Sequence, residues 1–286
     1  MAEIRLIRSR IKGVQSIAKI TRAMEMIATS KMRRTQERGL AGRPYAEKIH
    51  QVVADLAYLS QGESVVHPLL QTRPIKKIAI VHITPDRGLC GGMVANMNRR
   101  TGSFILEQNL PASMICVGRK GVDFMRRTGR DIRAEFTWLG DRPGFLDTLP
   151  ISRIIIDDYT SGAIDAVYVA YARFISVLVQ RPAVEQILPA VPADRTGHHN
   201  LDFIYEPGVA PVLGGLLPRF IEMQIYHAIL EAIASEQAAR MVAMRNATEN
   251  AGELTDELTL LYNKARQESI TKELLDITGG VEALNQ

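Results

Sequence analysis

Residues 220–278 read FIEMQIYHAILEAIASEQAARMVAMRNATENAGELTDELTLLYNKARQESITKELLDIT, a stretch with no proline and a single glycine, Gly252. Roughly 60 helical residues at about 1.5 Å each predict a rod of about 90 Å. A helix of this length far exceeds the average globular helix of about 11–12 residues. Such a length predicts a helix that packs in a coiled coil.

A heptad frame begun at Leu216 predicts which residues of this helix face a partner helix. The seam positions that it predicts are mainly apolar, and they are Phe220, Met223, Leu230, Ala234, Met241, Met244, Ala251, Leu258, Tyr262 and Ala265. Four polar residues fall in the same seam, namely His227, Gln237, Thr248 and Thr255. The small residues in the middle of the stretch predict a close approach of the second helix.

The first 60 residues supply that second helix. Apolar residues recur there at steps of three and four, at Ile4, Ile7, Ile11, Val14, Ile17, Ile20, Met24 and Ile27. The short steps between Val14 and Ile20 predict a stammer, which locally overwinds a coiled coil. Further on, Gly39, Gly42 and Pro44 predict a bend, because proline removes a backbone donor and crowds the preceding turn.

The two terminal segments carry opposite net charges. Residues 1–50 hold twelve Lys and Arg against four Glu, a balance of +8, and residues 213–279 hold six against ten Asp and Glu, a balance of −4. This asymmetry favours pairing of the two segments and leaves a basic stripe for an acidic partner.

Between the arms, apolar runs rich in β-branched residues alternate with helical stretches. Strands are predicted over residues 75–84, 113–117, 166–172 and 183–189, and helices over residues 93–108, 119–127 and 151–161. This alternation predicts a mostly parallel sheet in a small α/β domain. The predicted organisation is an N-terminal coiled-coil helix at 1–60, an α/β domain at 74–200 and a C-terminal coiled-coil helix at 209–286.

The loop after the first predicted strand, DRGLCGG at residues 86–92, invites comparison with phosphate-binding loops. It is neither GxGxxG nor GxxxxGK[ST], and it lacks the Lys-Ser/Thr pair that holds phosphate and magnesium. We therefore expect its glycines to form a tight strand-to-helix turn with Asp86 and Arg87 fixing the geometry. The two cysteines, Cys90 and Cys116, are expected to be buried thiols.

No constellation of catalytic or metal-binding residues emerges from the sequence. His198 and His199, with Asp194 and Asp202 nearby, match no metal-ligand spacing. Asp157 and Asp158 are adjacent, and neighbouring residues on a helix point about 100° apart, so they are poorly placed to share a proton. We expect no catalytic residue, no metal and no cofactor.

No stretch approaches the roughly 20 apolar residues of a membrane span, and the start of the chain lacks the apolar region of a signal peptide. These features predict a cytoplasm-like compartment. Two other functions remain open at this stage. The basic N-terminal helix could bind nucleic acid through phosphate contacts or act as a scaffold, and the α/β domain could be a nucleotide-using enzyme.

Three stretches of the sequence are KITRAMEMIATSKMRR at 19–34 followed by RPYAE at 43–47, the DRGLCGG loop, and SEQAARMVAMRNATEN at 235–250 continuing into YNKARQESITKE at 262–273. Together they resemble the gamma subunits of the F-type ATP synthase. Gly279 and Gly280 belong to the same resemblance, which spans the whole chain in order.

The resemblance implies a central rotor shaft formed by the terminal helices inside a ring of three alpha and three beta subunits. The α/β domain would rest as a foot, with the epsilon subunit, on the c-ring. Proton flow would turn the shaft and shift each beta subunit between conformations. Membrane association would be indirect, through the c-ring at the cytoplasmic face of the bacterial plasma membrane. Neither nucleic acid nor a cofactor is implied.

The resemblance also assigns roles to single residues. Met24 corresponds to a shaft methionine that lies against an acidic segment of the beta subunit. Coupling and beta-subunit contacts are further implied for Arg240, Arg266, Gln267, Thr271 and Glu273. Tyr205 and Glu206 correspond to the part of the foot that faces the c-ring.

The chain departs from the family pattern in three places. Val281 follows the glycine pair where the family has a small residue, and residues 129–150 match nothing in the family. The cysteine-pair insertion of the chloroplast form is lacking, so thiol regulation is not expected. The start at Met1 without a transit peptide predicts a bacterial source.

Overall fold

The structure is a computed structural model, and it describes residues 2–59, 67–190, 206 and 208–284. The chain divides into two compact units, one formed by Met1–Ala28 with Met241–Gln286 and the other by Thr29–Arg240. We call the first the helix-pair unit and the second the sheet unit. The domain boundaries predicted from the sequence lie between the terminal helices and the α/β domain. The boundaries of the compact units lie within the two long helices.

Ten helices and strands make up the regular structure of the described residues, apart from a short 3-10 turn at Pro68–Leu70. The helices are α1 (Ala2–Leu59), α2 (Met93–Gln108), α3 (Arg119–Arg127), α4 (Phe145–Thr160) and α5 (Val209–Leu284). The strands are β1 (Ile78–Ile83), β2 (Ala112–Val117), β3 (Asp131–Phe136), β4 (Ala166–Phe174) and β5 (Gln180–Leu188). The predicted fold class, long terminal helices with a mainly parallel α/β domain between them in sequence, is confirmed.

The sheet unit is built on one five-stranded sheet in the order β3-β2-β1-β4-β5. Strands β1 to β4 are parallel and β5 runs antiparallel to β4. Side chains of β1 alternate between two hydrophobic cores, as a strand buried on both faces requires. Ala79, Val81 and Ile83 join the core with α1, α4 and α5, whereas Ile78 and Ile80 join the core with α2 and α3.

Two sequence predictions about the sheet unit need correction. The segment 129–150 contains β3 and the beginning of α4, which the prediction began at Ile151. Strand β3 lies at the edge of the sheet, so its charged, alternately exposed sequence gives a weak strand signal. Helix α4 continues through Pro150, and at its start Asp147 Oδ2 accepts the backbone N–H of the N-cap residue Gly144 at 2.7 Å.

The first helix continues through the predicted bend near Pro44, and α1 extends from Ala2 to Leu59, close to the predicted end at residue 60. Packing within the sheet unit explains why position 42 is a glycine. A Cβ at this position would lie 3.0 Å from His227 Cε1 on α5. The glycine therefore permits a close approach of α1 and α5 there.

In the helix-pair unit, α1 and α5 run antiparallel. Thr21 Oγ1 lies 2.7 Å from Thr248 Oγ1, and Arg245 Nε donates to Glu25 Oε1 at 3.1 Å, so rising numbers on α1 meet falling numbers on α5. The predicted seam of α5 is found in this unit. Met241, Met244 and Ala251 are buried, and the next seam residues, at 255, 258, 262 and 265, are half-buried.

The predicted stammer in α1 is wrong. Buried and half-buried positions continue at steps of three and four through Val14, Ala18, Thr21, Glu25 and Ala28. The sequence pattern did not reveal the small and polar residues of this series, because larger isoleucines stand next to them in the sequence. Ile17, Ile20 and Ile27 are instead 54%, 57% and 54% exposed.

Candidate partner-binding surfaces

The DRGLCGG loop joins β1 to α2 in the sheet unit. Asp86 Oδ1 accepts the backbone N–H of Arg119 at 2.9 Å, and Oδ2 accepts the backbone N–H of Trp138 at 3.0 Å. One carboxylate therefore ties together this loop, the start of α3 and the loop after β3. Asp86 fixes loop geometry as predicted, and Arg87 lies with its Cζ 5.9 Å from the Trp138 ring centroid.

Gly118 allows α3 to begin directly against the end of β1. Its φ is +90°, and a Cβ there would lie 1.8 Å from the backbone oxygen of Thr84. Thr84 Oγ1 then accepts the backbone N–H of Gly121 at 2.8 Å. Contacts made by Thr84 with Gly118 and Gly121 therefore fill the space at the start of α3.

Helix α5 covers the carboxyl ends of the strands, where open α/β sheets commonly bind ligands. Ser235 Oγ donates to the backbone oxygen of Ala172 at 2.8 Å, and Glu231 Oε1 accepts the backbone N–H of Phe174 at 3.0 Å. The cavity that remains beside Ile229 and Ile233 has a volume of about 40 Å³. Small-molecule sites usually measure roughly 300–1,000 Å³, so this crevice is filled by the protein's own helix.

Arg240 fastens the DRGLCGG loop to α5. Its Nη2 donates to Glu236 Oε1 at 2.7 Å and to the backbone oxygen of Gly88 at 3.2 Å. Burial raises the pKa of Glu236, and the Arg240 charge opposes that rise. Because a buried carboxylate that loses its partner is costly, Arg240 has a clear intramolecular role besides any contact with another subunit.

The two cysteines are buried, as expected. Burial raises the pKa of the Cys116 thiol to about 12 and also raises that of Cys90. Since the thiolate is the nucleophilic form, these environments suit packing rather than covalent chemistry.

The helix-pair unit presents an apolar stripe that the sequence prediction assigned to the seam. Ile17, Ile20 and Ile27 follow one another at steps of three and seven on the exposed side of α1, with half-buried Met24 between them. Exposed apolar residues in a row indicate a protein contact. The signal that could have identified this stripe is the 3–4 spacing of Val14, Ala18, Thr21, Glu25 and Ala28, a series that completes the seam without the isoleucines.

The end of α5 is exposed in the same unit. Four predicted contact residues there face solvent, namely Arg266, Gln267, Thr271 and Glu273. By their spacing, Gln267 and Thr271 share one face of the helix, and Arg266 and Glu273 share the face next to it. Leu274, Leu275 and Ile277 are exposed beside them. Continuing the register of Thr21 with Thr248 puts Ala2 opposite about residue 267, so about 17 residues of α5 extend past the start of α1.

The other predicted positions lie elsewhere. Glu206 is exposed, whereas Tyr205 falls outside the described residues, as do His198, His199, Asp194 and Asp202. Within the described ranges, no group of three or more His, Cys, Asp and Glu side chains is arranged to hold a metal ion. Of the helices that the structure describes, none is both long and apolar enough to cross a membrane.

The sequence of this chain matches a known family along nearly its full length. The family model described as ATP synthase matches residues 3–284. The ATP synthase gamma chain of Dehalococcoides mccartyi is 66% identical over 284 residues, covering 99% of this chain and 100% of that protein. The gamma chain of Herpetosiphon aurantiacus is 47% identical, with all of both chains covered. This chain belongs to the ATP synthase gamma chain family.

Solved structures share the fold of this gamma chain family member. A chain in the structure of the Euglena gracilis mitochondrial ATP synthase that comprises OSCP, F1 and the c-ring aligns with a TM-score of 0.66 at 21% identity, covering 99% of this chain and 95% of that one. A central-stalk chain of the Tetrahymena thermophila mitochondrial enzyme aligns with a TM-score of 0.63 at 24% identity, covering 80% and 99%.

Membership in the gamma chain family decides among the interpretations that the sequence left open. A chain of this family is part of the ATP synthase, a multisubunit enzyme, and neither a separate nucleic-acid-binding scaffold nor a separate nucleotide-using enzyme is favoured.

Proposed function

We propose that this chain is the central rotor shaft of a bacterial ATP synthase. The helices α1 and α5 turn within three alpha and three beta subunits, and the sheet unit rests with the epsilon subunit on the c-ring. Full-length identity of 66% to a gamma chain is the observation that carries the proposal. The chain contributes no catalytic residue, and it reaches the cytoplasmic face of the membrane through the c-ring.

The mechanism is a shift of conformational equilibrium in the subunits that surround the shaft. A rotating surface can favour different states in turn only if it differs from one side to another. The helix-pair unit has that asymmetry, since one exposed side of α1 carries isoleucines while another exposed side carries Arg8, Lys12 and Lys19.

We assign the coupling contacts to Met24, Arg266, Gln267, Thr271 and Glu273. Exposure of the last four supports a contact with other subunits, and arginine suits such a contact because its planar fork binds carboxylates through two hydrogen bonds. Arg240 acts as a positioning residue through Glu236 and Gly88. Glu206, with Tyr205, faces the c-ring side.

The test replaces Met24 by Lys in the assembled synthase. An ammonium group facing an acidic beta-subunit segment would add an ionic contact, so we expect ATP hydrolysis to continue while fewer protons are pumped per ATP. Leu106→Lys, at a 70% exposed position on α2, is the matched control. Proton pumping per ATP equal to that of the unsubstituted enzyme would remove Met24 from the coupling contacts.

The proposal as a whole is tested by reconstitution. The purified chain should hydrolyse no ATP by itself and should form a complex with purified alpha and beta subunits. A chain that fails to join these subunits is not the shaft.

A further inference from the structure

A cavity of about 280 Å³ lies within the sheet unit, where α1 and α5 meet β4 and β5. It is much larger than the crevice of about 40 Å³ beside Ile229 and Ile233. Small-molecule sites begin at roughly 300 Å³, and a single water needs only about 10–15 Å³. The cavity therefore has room for a compact molecule of several non-hydrogen atoms. We call it the β4–β5 cavity.

Part of the wall of the β4–β5 cavity is apolar, and all the surrounding elements contribute to it. All but one of the larger apolar side chains there are buried members of the hydrophobic core, the exception being Met223. Because the core fixes their positions, this part of the wall is already formed before a ligand arrives, which lowers the entropy lost on binding. The apolar side chains are Ile49, Val169, Ile187, Phe220, Met223 and Ala228.

The rest of the wall carries two carboxylates and a tyrosine hydroxyl, with other polar groups beside them. Tyr171 is only 5% exposed, and its hydroxyl donates to Glu185 Oε2 at 3.2 Å. Glu231 Oε1 accepts the backbone N–H of Phe174 at 3.0 Å. These hydrogen bonds hold both carboxylates in place, and each carboxylate can accept further hydrogen bonds.

The charges of the two carboxylates are compensated to different degrees. Arg173 Nη2 donates to Glu185, so these two charges largely cancel. Burial raises the pKa of Glu231, although the Phe174 N–H and the Arg173 charge oppose the rise. A raised pKa means that the surroundings disfavour the ionised carboxylate. A cation inside the cavity would therefore stabilise the Glu231 carboxylate.

We propose that the β4–β5 cavity binds a small alkylammonium ion. The ammonium group donates hydrogen bonds to Glu231 and Glu185, and the alkyl chain packs on Phe220 and Ile49. An organic cation suits the apolar wall, whereas no group of three or more His, Cys, Asp and Glu side chains in the described ranges is arranged to hold a metal ion. This inference goes beyond the proposed function and does not rest on it.

Titration of the purified chain with butylammonium tests the site, using 1-butanol and butyrate as probes of the same length. The methyl NMR signals of Met223 and Ile49 should shift and saturate with butylammonium at millimolar concentration. The signal of Met97, buried in the other core, should stay in place. Since a hydrogen bond to a charged group is worth more than a neutral one, 1-butanol should bind roughly tenfold more weakly, and butyrate should not bind.

Three results of that titration would overturn the proposal. Shifts that do not saturate would mean that butylammonium has no site here. Equal affinity for 1-butanol would mean that the cavity selects only an apolar chain, and binding of butyrate would contradict the charge argument.

Two substitutions separate the charge of the cavity from its volume. Glu231→Gln keeps an Oε1 that can accept the Phe174 N–H, and it should weaken butylammonium binding by roughly tenfold. Glu249→Gln, at an exposed position of α5, is the matched control and should leave binding unchanged. Ala46→Leu adds bulk at the cavity wall, so it should weaken the binding of butylammonium and 1-butanol alike. Unchanged affinity in Glu231→Gln would overturn the assignment of the carboxylate.

The assembled synthase distinguishes a free amine from a lysine side chain of another subunit, which offers the same ammonium group. Isothermal titration calorimetry of synthases with the unsubstituted chain and with Glu231→Gln should show a difference in butylammonium binding. Loss of that difference on assembly would mean that another subunit covers the cavity, and it would overturn the proposal. Failure of the chain to assemble would instead refute the proposed function and leave the titration of the purified chain unaffected.

Discussion

His82 lies at the middle of the sheet, where its imidazole completes a buried polar network. Asn98 Oδ1 lies 2.9 Å from Nε2, and Thr101 Oγ1 lies 3.1 Å from Nδ1. Because an amide oxygen can only accept, Nε2 carries the proton and Nδ1 accepts from the threonine. Burial lowers the pKa of His82 to about 4, although the hydrogen bond to Asn98 opposes the change.

This low pKa predicts that the sheet unit loses stability in mild acid. The unfolded chain binds a proton near pH 6.5 and the folded chain only near pH 4. The His82 contribution is therefore fully present above pH 6.5 and falls as the pH drops toward 4. Between pH 7 and pH 5 the free energy of unfolding should fall by about 2 kcal/mol through this group.

The comparison is between the unsubstituted chain and His82→Gln in urea unfolding at both pH values. The glutamine side chain does not titrate, so the variant should lack this part of the pH dependence whatever its absolute stability. An equal loss of stability in both proteins would show that His82 is not the titrating group.

Gly118 offers a second test at the scale of one residue. Gly118→Ala places a Cβ 1.8 Å from the Thr84 oxygen at a φ of +90°, and it should lower the free energy of unfolding by about 3 kcal/mol or more. Gly102→Ala is the matched control in α2, since a Cβ there meets nothing within 4 Å. It should raise stability by up to about 1 kcal/mol. Thermal melting separates the two, and equal effects would contradict the crowding at Gly118.

At the scale of secondary structure, the sequence predicted those elements whose side-chain periodicity is strong. The heptad frame of α5 holds at Met241, Met244 and Ala251 because one apolar face pairs with one neighbouring helix. The frame of α1 failed between Val14 and Ala28, where small and polar seam residues lie beside large exposed isoleucines. Size and hydrophobicity alone therefore gave the wrong face of α1.

The two faces of α1 should respond differently to the same substitution. Ile7 is buried, so Ile7→Gln should destabilise the helix pair by about 2 kcal/mol or more. Ile20→Gln should leave the melting temperature unchanged, because the side chain is exposed, yet weaken assembly with alpha and beta subunits. Melting curves and assembly titrations of both variants check this. A strong loss of stability in Ile20→Gln would show that Ile20 packs in the seam between α1 and α5.

At the scale of the whole molecule, the order of helices and strands and the family could be predicted from the sequence. The candidate partner-binding surfaces could be predicted only in part. Helix length, the run from Ile78 to Ile83 and the three family motifs carry strong signals. The exposure of Trp138 has no comparable signal in the sequence, because it depends on a hydrogen bond from the Trp138 backbone N–H to Asp86, 52 residues away in sequence. A pairing of that kind follows from the folded sheet and not from local pattern.

The central claim is that this chain rotates within the alpha and beta subunits, and single-molecule observation tests it most directly. Leu106→Cys supplies an exposed thiol for a bead, since Cys90 and Cys116 are buried. With alpha and beta subunits fixed to a surface and ATP added, the account predicts rotation in one direction with pauses every third of a turn. ATP hydrolysis by the same complex without directional rotation of the bead would contradict it.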